Sequence, residues 1–352
     1  MSKLKFYILT KAASYDSLGV CKVGNLKLPV LKILFTNFCK NNCKYCINRC
    51  QNDVRRARFS PEELASLVIN LAKKGIIKGL FLSSGIEVDP DDTMEKMIQT
   101  VLILRKKYEF NGYIHLKVLP GSSYELVKSV APYVDRLSCN LEFVTKSSLL
   151  KWAPEKSSLQ LVSTLKMLSK IQEEVEKPFS VSTQVIVGAS EDTDKRILEL
   201  AWKLYKNRVI SRMYFSAYVP VNEPGAGKRP PYTREYRLYQ ADMLIRKYGF
   251  RPEELFEERE NLPQSIDPKL AWAKRHPEFF PVELTKADYY ELLRIPGIGP
   301  ETARKILKLR RNWELSELSL KKIGISLEKL GNFATLRGRP IKKVVQLALK
   351  WH

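Results

Sequence analysis

From residue 28 to residue 220 the chain alternates apolar, β-branched runs with amphipathic stretches of helical length. The runs are PVLKILFT, GLFLSSG, YIHLKVL, RLSCNLE, FSVSTQVIVG and MYFSAYVPV, each of strand length. Between them, helices are predicted to begin near Ser60, Pro90, Ser122, Ser157 and Glu191. The first has Pro61, Glu62 and Glu63 in its opening turn, residue types that suit a helix N-terminus. Six strands separated by helices predict a parallel βα array. Periodicity leaves open whether that array is a doubly wound sheet or a barrel.

The rhythm stops at YVPVNEPGAGKRPPYT, a Pro- and Gly-rich loop leaving the last strand. A charged helical stretch over 233–260 follows, then the looser NLPQSIDPKLAWAKRHPEFFPVE. From Lys286 the pattern becomes compactly helical. In YYELLRIPGIGPETARKILKLRR, residues 289–311, Leu292, Leu293 and Ile295 close one helix, and Ala303, Ile306 and Leu307 give the next an apolar face. Gly297 and Gly299 permit positive φ in the turn around Ile298, and Pro300 fits a first helical turn. Backbone N–H groups at such a turn face outward and make a phosphate site, which Arg304, Lys305 and Lys308 can flank. The expected division is an N-terminal extension over 1–25, a βα domain over 26–225, a helical connector over 226–285 and a helical domain over 286–352. In the connector, Tyr232, Tyr236, Tyr239 and Trp272 are candidates for stacking on a base.

Charge sharpens this picture. The 352 residues carry a net charge of +22, which points to an anionic partner. Residues 286–352 hold 15 Lys and Arg against 6 Asp and Glu, so the excess is concentrated in one small module. Nucleic acid comes ahead of acidic lipid, because no basic amphipathic anchor stands out. The apolar run FYIL near the start is too short for a signal peptide and no span reaches membrane length, so a cytoplasmic protein with no membrane partner is expected.

In that reducing setting, clustered cysteines imply metal or redox chemistry. FCKNNCKYCINRC, residues 38–50, holds four of the six cysteines. Cys39, Cys43 and Cys46 follow the first strand with C-x3-C-x2-C spacing, which lets three thiolates converge from one loop. Three ligands on a four-iron cluster leave one iron open. The alternative is zinc, with Cys50 as a fourth thiol, although zinc knots usually draw on two separated pairs.

CKNNCKYC after the first strand, with Tyr45 before the third cysteine, resembles the radical S-adenosylmethionine (SAM) family. The resemblance implies a partial (β/α)6 TIM-like barrel. It also implies a 4Fe-4S cluster that chelates SAM at its open iron and splits it to a 5′-deoxyadenosyl radical, with an electron donor such as flavodoxin or ferredoxin. Ser84, Gly85 and Glu87 resemble the family's Gly-Gly-Glu segment, which binds the methionine amino group, with serines where its first glycine stands. Val187 and Gly188 resemble its adenine-contacting fifth-strand segment. Polar residues in apolar strands need partners, so Asn140 and Glu142, pointing the same way, are candidates for the nucleoside hydroxyls. Lys117, Gln184 and Arg212 are further candidates at strand ends, and His115 is expected to be structural. Cys139 and Tyr218 are candidates to return a hydrogen atom to a product radical.

The second motif resembles the helix-hairpin-helix module of DNA glycosylases and other repair proteins, implying an all-α C-terminal domain that grips the phosphate backbone of duplex DNA. Together the two motifs resemble a small family of DNA modification or repair radical SAM proteins, related more distantly to spore photoproduct lyase, and suggest a glycosylase-like protein partner. The expectation is a radical SAM enzyme that modifies or repairs DNA bases. Modification of RNA, and a non-enzymatic metal-stabilised DNA-binding role, are the alternatives.

Overall fold

The structure, a computed structural model, describes residues 3–13, 20–23, 28–221, 230–312 and 314–341. It divides into two compact units, residues 1–192 with 203–231 and residues 193–202 with 232–352.

In the first unit, six strands lie parallel in chain order: β2 (Leu28–Leu34), β3 (Gly79–Ser83), β4 (Tyr113–Lys117), β5 (Arg136–Ser138), β6 (Ser180–Val187) and β7 (Arg212–Ala217). Strand β1 (Val20–Val23) adds antiparallel to the free edge of β2, and helix α1 (Lys3–Ala13) precedes it. The order settles what periodicity left open. A doubly wound sheet reverses direction at a switch point, whereas strands added always on the same side, with right-handed crossovers, keep their helices on one face and curl the sheet. The six strands form a curled half-barrel, the partial TIM barrel expected.

The crossovers are α2 (Pro61–Lys73), α3 (Pro90–Leu102), α4 (Tyr124–Val130), α5 (Lys146–Trp152) with α6 (Ser158–Glu174), and α7 (Asp194–Lys206), which runs through the division between the units. Helix α2 begins where the sequence places it: Ser60 accepts from the Glu63 N–H, Glu63 accepts from the Ser60 N–H, and Pro61 occupies the first turn. Leu64, Ala65, Leu67 and Val68 bury its inner face. Short helix α5 was not legible in the sequence pattern. No helix among the described residues is long and apolar enough to cross a membrane.

The second unit contains α8 (Tyr232–Tyr248), α9 (Pro252–Phe256), α10 (Pro268–Arg275), α11 (Tyr289–Arg294), α12 (Pro300–Arg311), α13 (Glu317–Lys322) and α14 (Leu327–Leu330). Leu292, Leu293, Ile295, Ile298, Ala303 and Ile306 centre one of its cores, as the helical periodicity requires. Trp272 is buried against Phe250, Phe279 and Phe280, so it serves packing, whereas Tyr232 and Tyr236 are exposed.

The expectation of an all-α C-terminal domain is corrected. A three-stranded sheet forms from β8 (Val282–Glu283), β9 (Ala334–Leu336) and β10 (Arg339–Pro340). Its strands are only two or three residues long, too short to show a period-2 pattern. What holds them is Glu283. Its carboxylate accepts from the N–H of Thr285, Arg337 and Gly338 and from the hydroxyls of Thr285 and Thr335. Burial alone would raise this carboxyl, but those donors outweigh it and bring it down to about 2.

Because the folded-state value lies below the unfolded one, Glu283 contributes stability above about pH 4.3 that is lost as pH falls toward 2. Glu283→Ala should lower stability at neutral pH by about 1–3 kcal/mol, and that difference from wild type should shrink in acid. Urea unfolding at pH 7 and pH 3 measures it; an equal loss at both would count against the carboxylate's role.

Candidate active site

Three thiols must hold one arrangement in a loop without regular secondary structure. The loop after β2 does this with polar clamps. Asn37 Nδ2 donates to the Arg55 carbonyl (2.9 Å) and its Oδ1 accepts from the Ala57 N–H (2.7 Å), closing the base of the loop. The Arg56 guanidinium donates to the carbonyls of Asn37, Asn48, Arg49 and Asn52 at 2.6–3.0 Å, so one side chain knits both arms together. The end of β3 adds the third fastening. Gly85 N–H donates to the Thr36 carbonyl (2.8 Å), and the Ile86 carbonyl accepts from the Lys40 N–H (2.7 Å). A Cβ on Gly85 would sit 2.2 Å from the Phe38 carbonyl oxygen and 3.1 Å from Cys39 Cβ, so only glycine allows this approach.

The loop closes one end of a cavity whose wall includes Cys39, Cys43 and Cys46, the face of β3 at Ser84 and Gly85, and the later strand ends at Asn140, Glu142 and Gln184. Glu142 is the electrostatic centre of that wall. It is 3% exposed, and its left-handed backbone (φ 65°) is held by N–H donation to the Gln184 carbonyl and by acceptance from the Ile186 N–H. Lys156 Nζ donates to Glu142 Oε1 (2.8 Å) and to the Tyr45 hydroxyl (2.9 Å); Asn140 Nδ2 reaches Glu142 Oε2 at 3.4 Å. Burial would raise the Glu142 carboxyl, yet Lys156 and Lys117 hold it below its ordinary value. Burial and then the Glu142 charge push the Tyr45 phenol well up, which keeps it a neutral hydrogen-bonding group.

Cys43 is buried, and Cys39 and Cys46 are half-buried. Burial pushes the Cys43 thiol up, opposed by the Lys156 charge. No three His, Cys, Asp or Glu side chains among the described residues converge as ligands for a single metal ion. A tetrahedral zinc gathers its ligands around one atom, whereas a cluster takes each thiolate on a different iron and so tolerates sulfurs set further apart. Cys50 is exposed and outside the cavity wall. The donor set therefore fits a three-thiolate cluster better than a four-thiol zinc knot.

Other predicted residues fall elsewhere. Glu87 does not line the cavity; its carboxylate pairs with Arg58 (2.6 Å). Val187 is fully buried and outside the wall, where Gln184 and Ile186 stand instead. Gly188 turns left-handed (φ 89°), and a Cβ there would lie 2.6 Å from the Pro230 ring. Cys139 is sealed within the sheet at 0% exposure, its thiol pushed up to about 12 by burial, and it does not reach the cavity. Tyr218 is also off the wall, packed edge-on against Trp152. His115 is structural, bonded to Ser138 Oγ (2.8 Å) and stacked on Phe81. Sequence reasoning missed Lys156, which sits in the loop between α5 and α6, and Lys32, a buried lysine within β2.

In the second unit, α11 and α12 are joined by a hairpin over 295–299. Gly297 is left-handed (φ 86°) with open space around its Cα, Ile298 points into the core, and Gly299 caps α12. Arg304, Lys305 and Lys308 are exposed. Buried Lys269 supports the turn from within: its Nζ donates to the Ile298 carbonyl (2.5 Å) and lies 4.8 Å from the Tyr248 ring centre.

A curled half-barrel with three thiols on the loop after its first parallel strand defines a class of cluster-binding barrel enzymes. Residues 33–203 match the Radical SAM superfamily, and the chain carries a domain of that family. Domains of this superfamily are those of enzymes whose cofactors are a 4Fe-4S cluster and SAM, which they cleave reductively, generally with an electron from a donor such as flavodoxin or ferredoxin. The fold is similar to that of methylornithine synthase (TM-score 0.50, 16% identity, 60% of this chain and 60% of that one). It is equally similar to the FeFe-hydrogenase maturase HydG from Carboxydothermus hydrogenoformans (TM-score 0.50, 15% identity, 60% of this chain and 50% of that one). The chain thus spans between half and three fifths of the lengths of these proteins. A comparison with curated proteins finds no match.

Two outcomes follow from this geometry. Gly85→Ala should displace the Cys39 segment and cut iron and sulfide per chain after anaerobic reconstitution, while far-UV circular dichroism stays native; full cluster loading would show that the close approach does not matter. Lys269 titrates at about 7, brought down by burial and by Arg294 against the opposing Asp267. Its folded-state value is below the unfolded one near 10.4, so the unfolded chain binds more protons across that window and stability should rise from about pH 7 to about pH 10. Thermal melts of wild type and Lys269→Met measure this, and the variant should lose the rise.

Proposed function

We propose that the protein is a radical SAM enzyme acting on DNA, either modifying a base or repairing a lesion, with the second unit gripping the duplex by its phosphates. The observation that carries the reading is the hairpin. An exposed left-handed Gly297 and the Gly299 cap stand at the start of α12, where the first backbone N–H groups of a helix have no intrahelical acceptor, and Arg304, Lys305 and Lys308 are exposed along the same helix. These features support reading α11 and α12 as a helix-hairpin-helix module, whose contacts would go to phosphate and carry no sequence information.

In the barrel, Cys39, Cys43 and Cys46 would hold the cluster. When bound, the cluster and SAM supply a carbon radical able to take hydrogen from an unactivated position. The residues of this chain position the reactants. Ser84 and Gly85 offer backbone carbonyls to the methionine ammonium, Asn140 and Glu142 accept the ribose hydroxyls, and Lys156 and Tyr45 fix the Glu142 carboxylate for that task. Ile186, in place of Val187 and Gly188, lines the cavity and would be the residue to contact the adenine. A duplex base reaches such a cavity only when unstacked, at a cost of a few kcal/mol that is least for damaged or mispaired nucleotides. A glycosylase-like partner suits the same substrate.

The test is anaerobic reconstitution followed by SAM, dithionite and duplex DNA. 5′-Deoxyadenosine and a mass change in the DNA are expected, and neither, with iron loaded, would defeat the reading. Replacing Arg304, Lys305 and Lys308 by alanine should weaken binding equally across DNA sequences and lower the salt slope by about 0.9 per lost contact. Preference for structured RNA in competition at fixed salt would move the substrate to RNA.

A further inference from the structure

The barrel cavity is cationic in a way that its cofactors do not explain. Among the described residues, Lys117 and Lys156 stand in its wall with one carboxylate, Glu142, and Lys156 already pairs with that carboxylate at 2.8 Å. The Lys117 ammonium, at the end of β4, has no hydrogen-bond or ion-pair partner among the described residues. Lys32 lines the same wall at a different level: it pairs with Phe81, Phe81 with His115, and Lys117 follows two residues beyond His115 on the same face of β4. Both charges reach His115, whose imidazole is pushed well below its ordinary value by burial, then Arg136, Lys117 and Lys32.

The bound cofactors would leave this excess in place. An oxidised cluster core of two positive charges on three thiolates retains one negative charge. SAM, with a sulfonium and an ammonium against one carboxylate, carries one positive. The two cancel, and the lysine at the end of β4 remains. A cavity of one sign focuses its field on a ligand of the other. The wall supplies lysine, a point charge that binds phosphate.

We propose that Lys117 is an anion subsite for the phosphate of the nucleotide whose base or sugar is acted on. The inference rests on the DNA reading and deepens it: the barrel recognises a phosphate ester itself, in addition to any grip by the hairpin.

The experiment is equilibrium dialysis of the cluster-loaded full chain with SAM present. The probes are a deoxynucleoside, its 5′-monophosphate, a dinucleoside phosphodiester and inorganic phosphate. The monophosphate and the phosphodiester should bind roughly tenfold or more tightly than the nucleoside, the scale of a charged hydrogen bond. Lys117→Met and Lys117→Gln, each with cluster absorbance and circular dichroism intact, should abolish that preference. Lys117→Arg and the triple hairpin variant should keep it. Equal binding of nucleoside and nucleotide would overturn the subsite. So would inorganic phosphate binding as tightly as the nucleotide, or a Lys117→Met defect confined to SAM affinity, which would assign Lys117 to the SAM carboxylate. A phosphate preference that depends on Lys117 in a protein that leaves DNA unaltered would instead sink the DNA reading and leave the subsite standing for a phosphorylated small molecule.

Discussion

The close approach of the β3 end to the cysteine loop is the constraint on which the site depends. A loop carrying three thiols has no ladder of its own to fix them, and mutual repulsion among thiolates works against their gathering. At Gly85 the backbone of the neighbouring strand comes within hydrogen-bond reach of Thr36 and against Phe38 and Cys39, at a spacing that excludes any side chain. The Arg56 clamp completes the frame from the other side. The thiols are thus positioned by protein contacts, and a metal cluster would enter a loop whose ordering entropy is already met by folding.

A second constraint is electrostatic. Glu142 is buried in a left-handed conformation, an arrangement that costs free energy through both desolvation and backbone strain. Lys156 offsets the first cost and the β6 backbone holds the second in place. Removing either partner of such a pair leaves a buried charge uncompensated, which is more damaging than replacing both by apolar groups. A fold gains little stability from this construction. Its value lies in presenting a rigid, ionised acceptor to a cavity, where rigidity spares the ordering cost that a flexible surface carboxylate would incur on binding.

Much of this was legible in the sequence, and the failures are informative. The six barrel strands read correctly because fully buried parallel strands are unbroken apolar runs, and the cysteine spacing placed the loop on the first of them. Alternation already contained the answer for residues misassigned to the site. Asn140 and Glu142 share one parity, so Cys139, one residue before Asn140, had to face the other way, and Val187 stands opposite in parity to Gln184 and Ile186. Lys156 was illegible because its role exists only once the α5–α6 connection folds over Tyr45. The strands around Glu283 were too short for any periodic signal; their organiser is one carboxylate with donors more than fifty residues away.

The distribution of charge separates two tasks that net charge alone merges. Exposed lysines and arginines on a helix beside a glycine hairpin attract any phosphate backbone, and their effect is screened by salt within about 10 Å. Such a surface raises the local concentration of nucleic acid without distinguishing one base from another. Selectivity must therefore come from groups withdrawn from bulk solvent, where each unmet charge or hydrogen bond costs far more than at the surface. On the proposed DNA reading, the candidates in the first unit are Lys117, Asn140 and Glu142, which line one cavity with the three thiols. A chain could keep its +22 and lose all discrimination by exchanging that handful of buried residues, whereas shedding several surface charges would weaken capture and leave the choice of target intact.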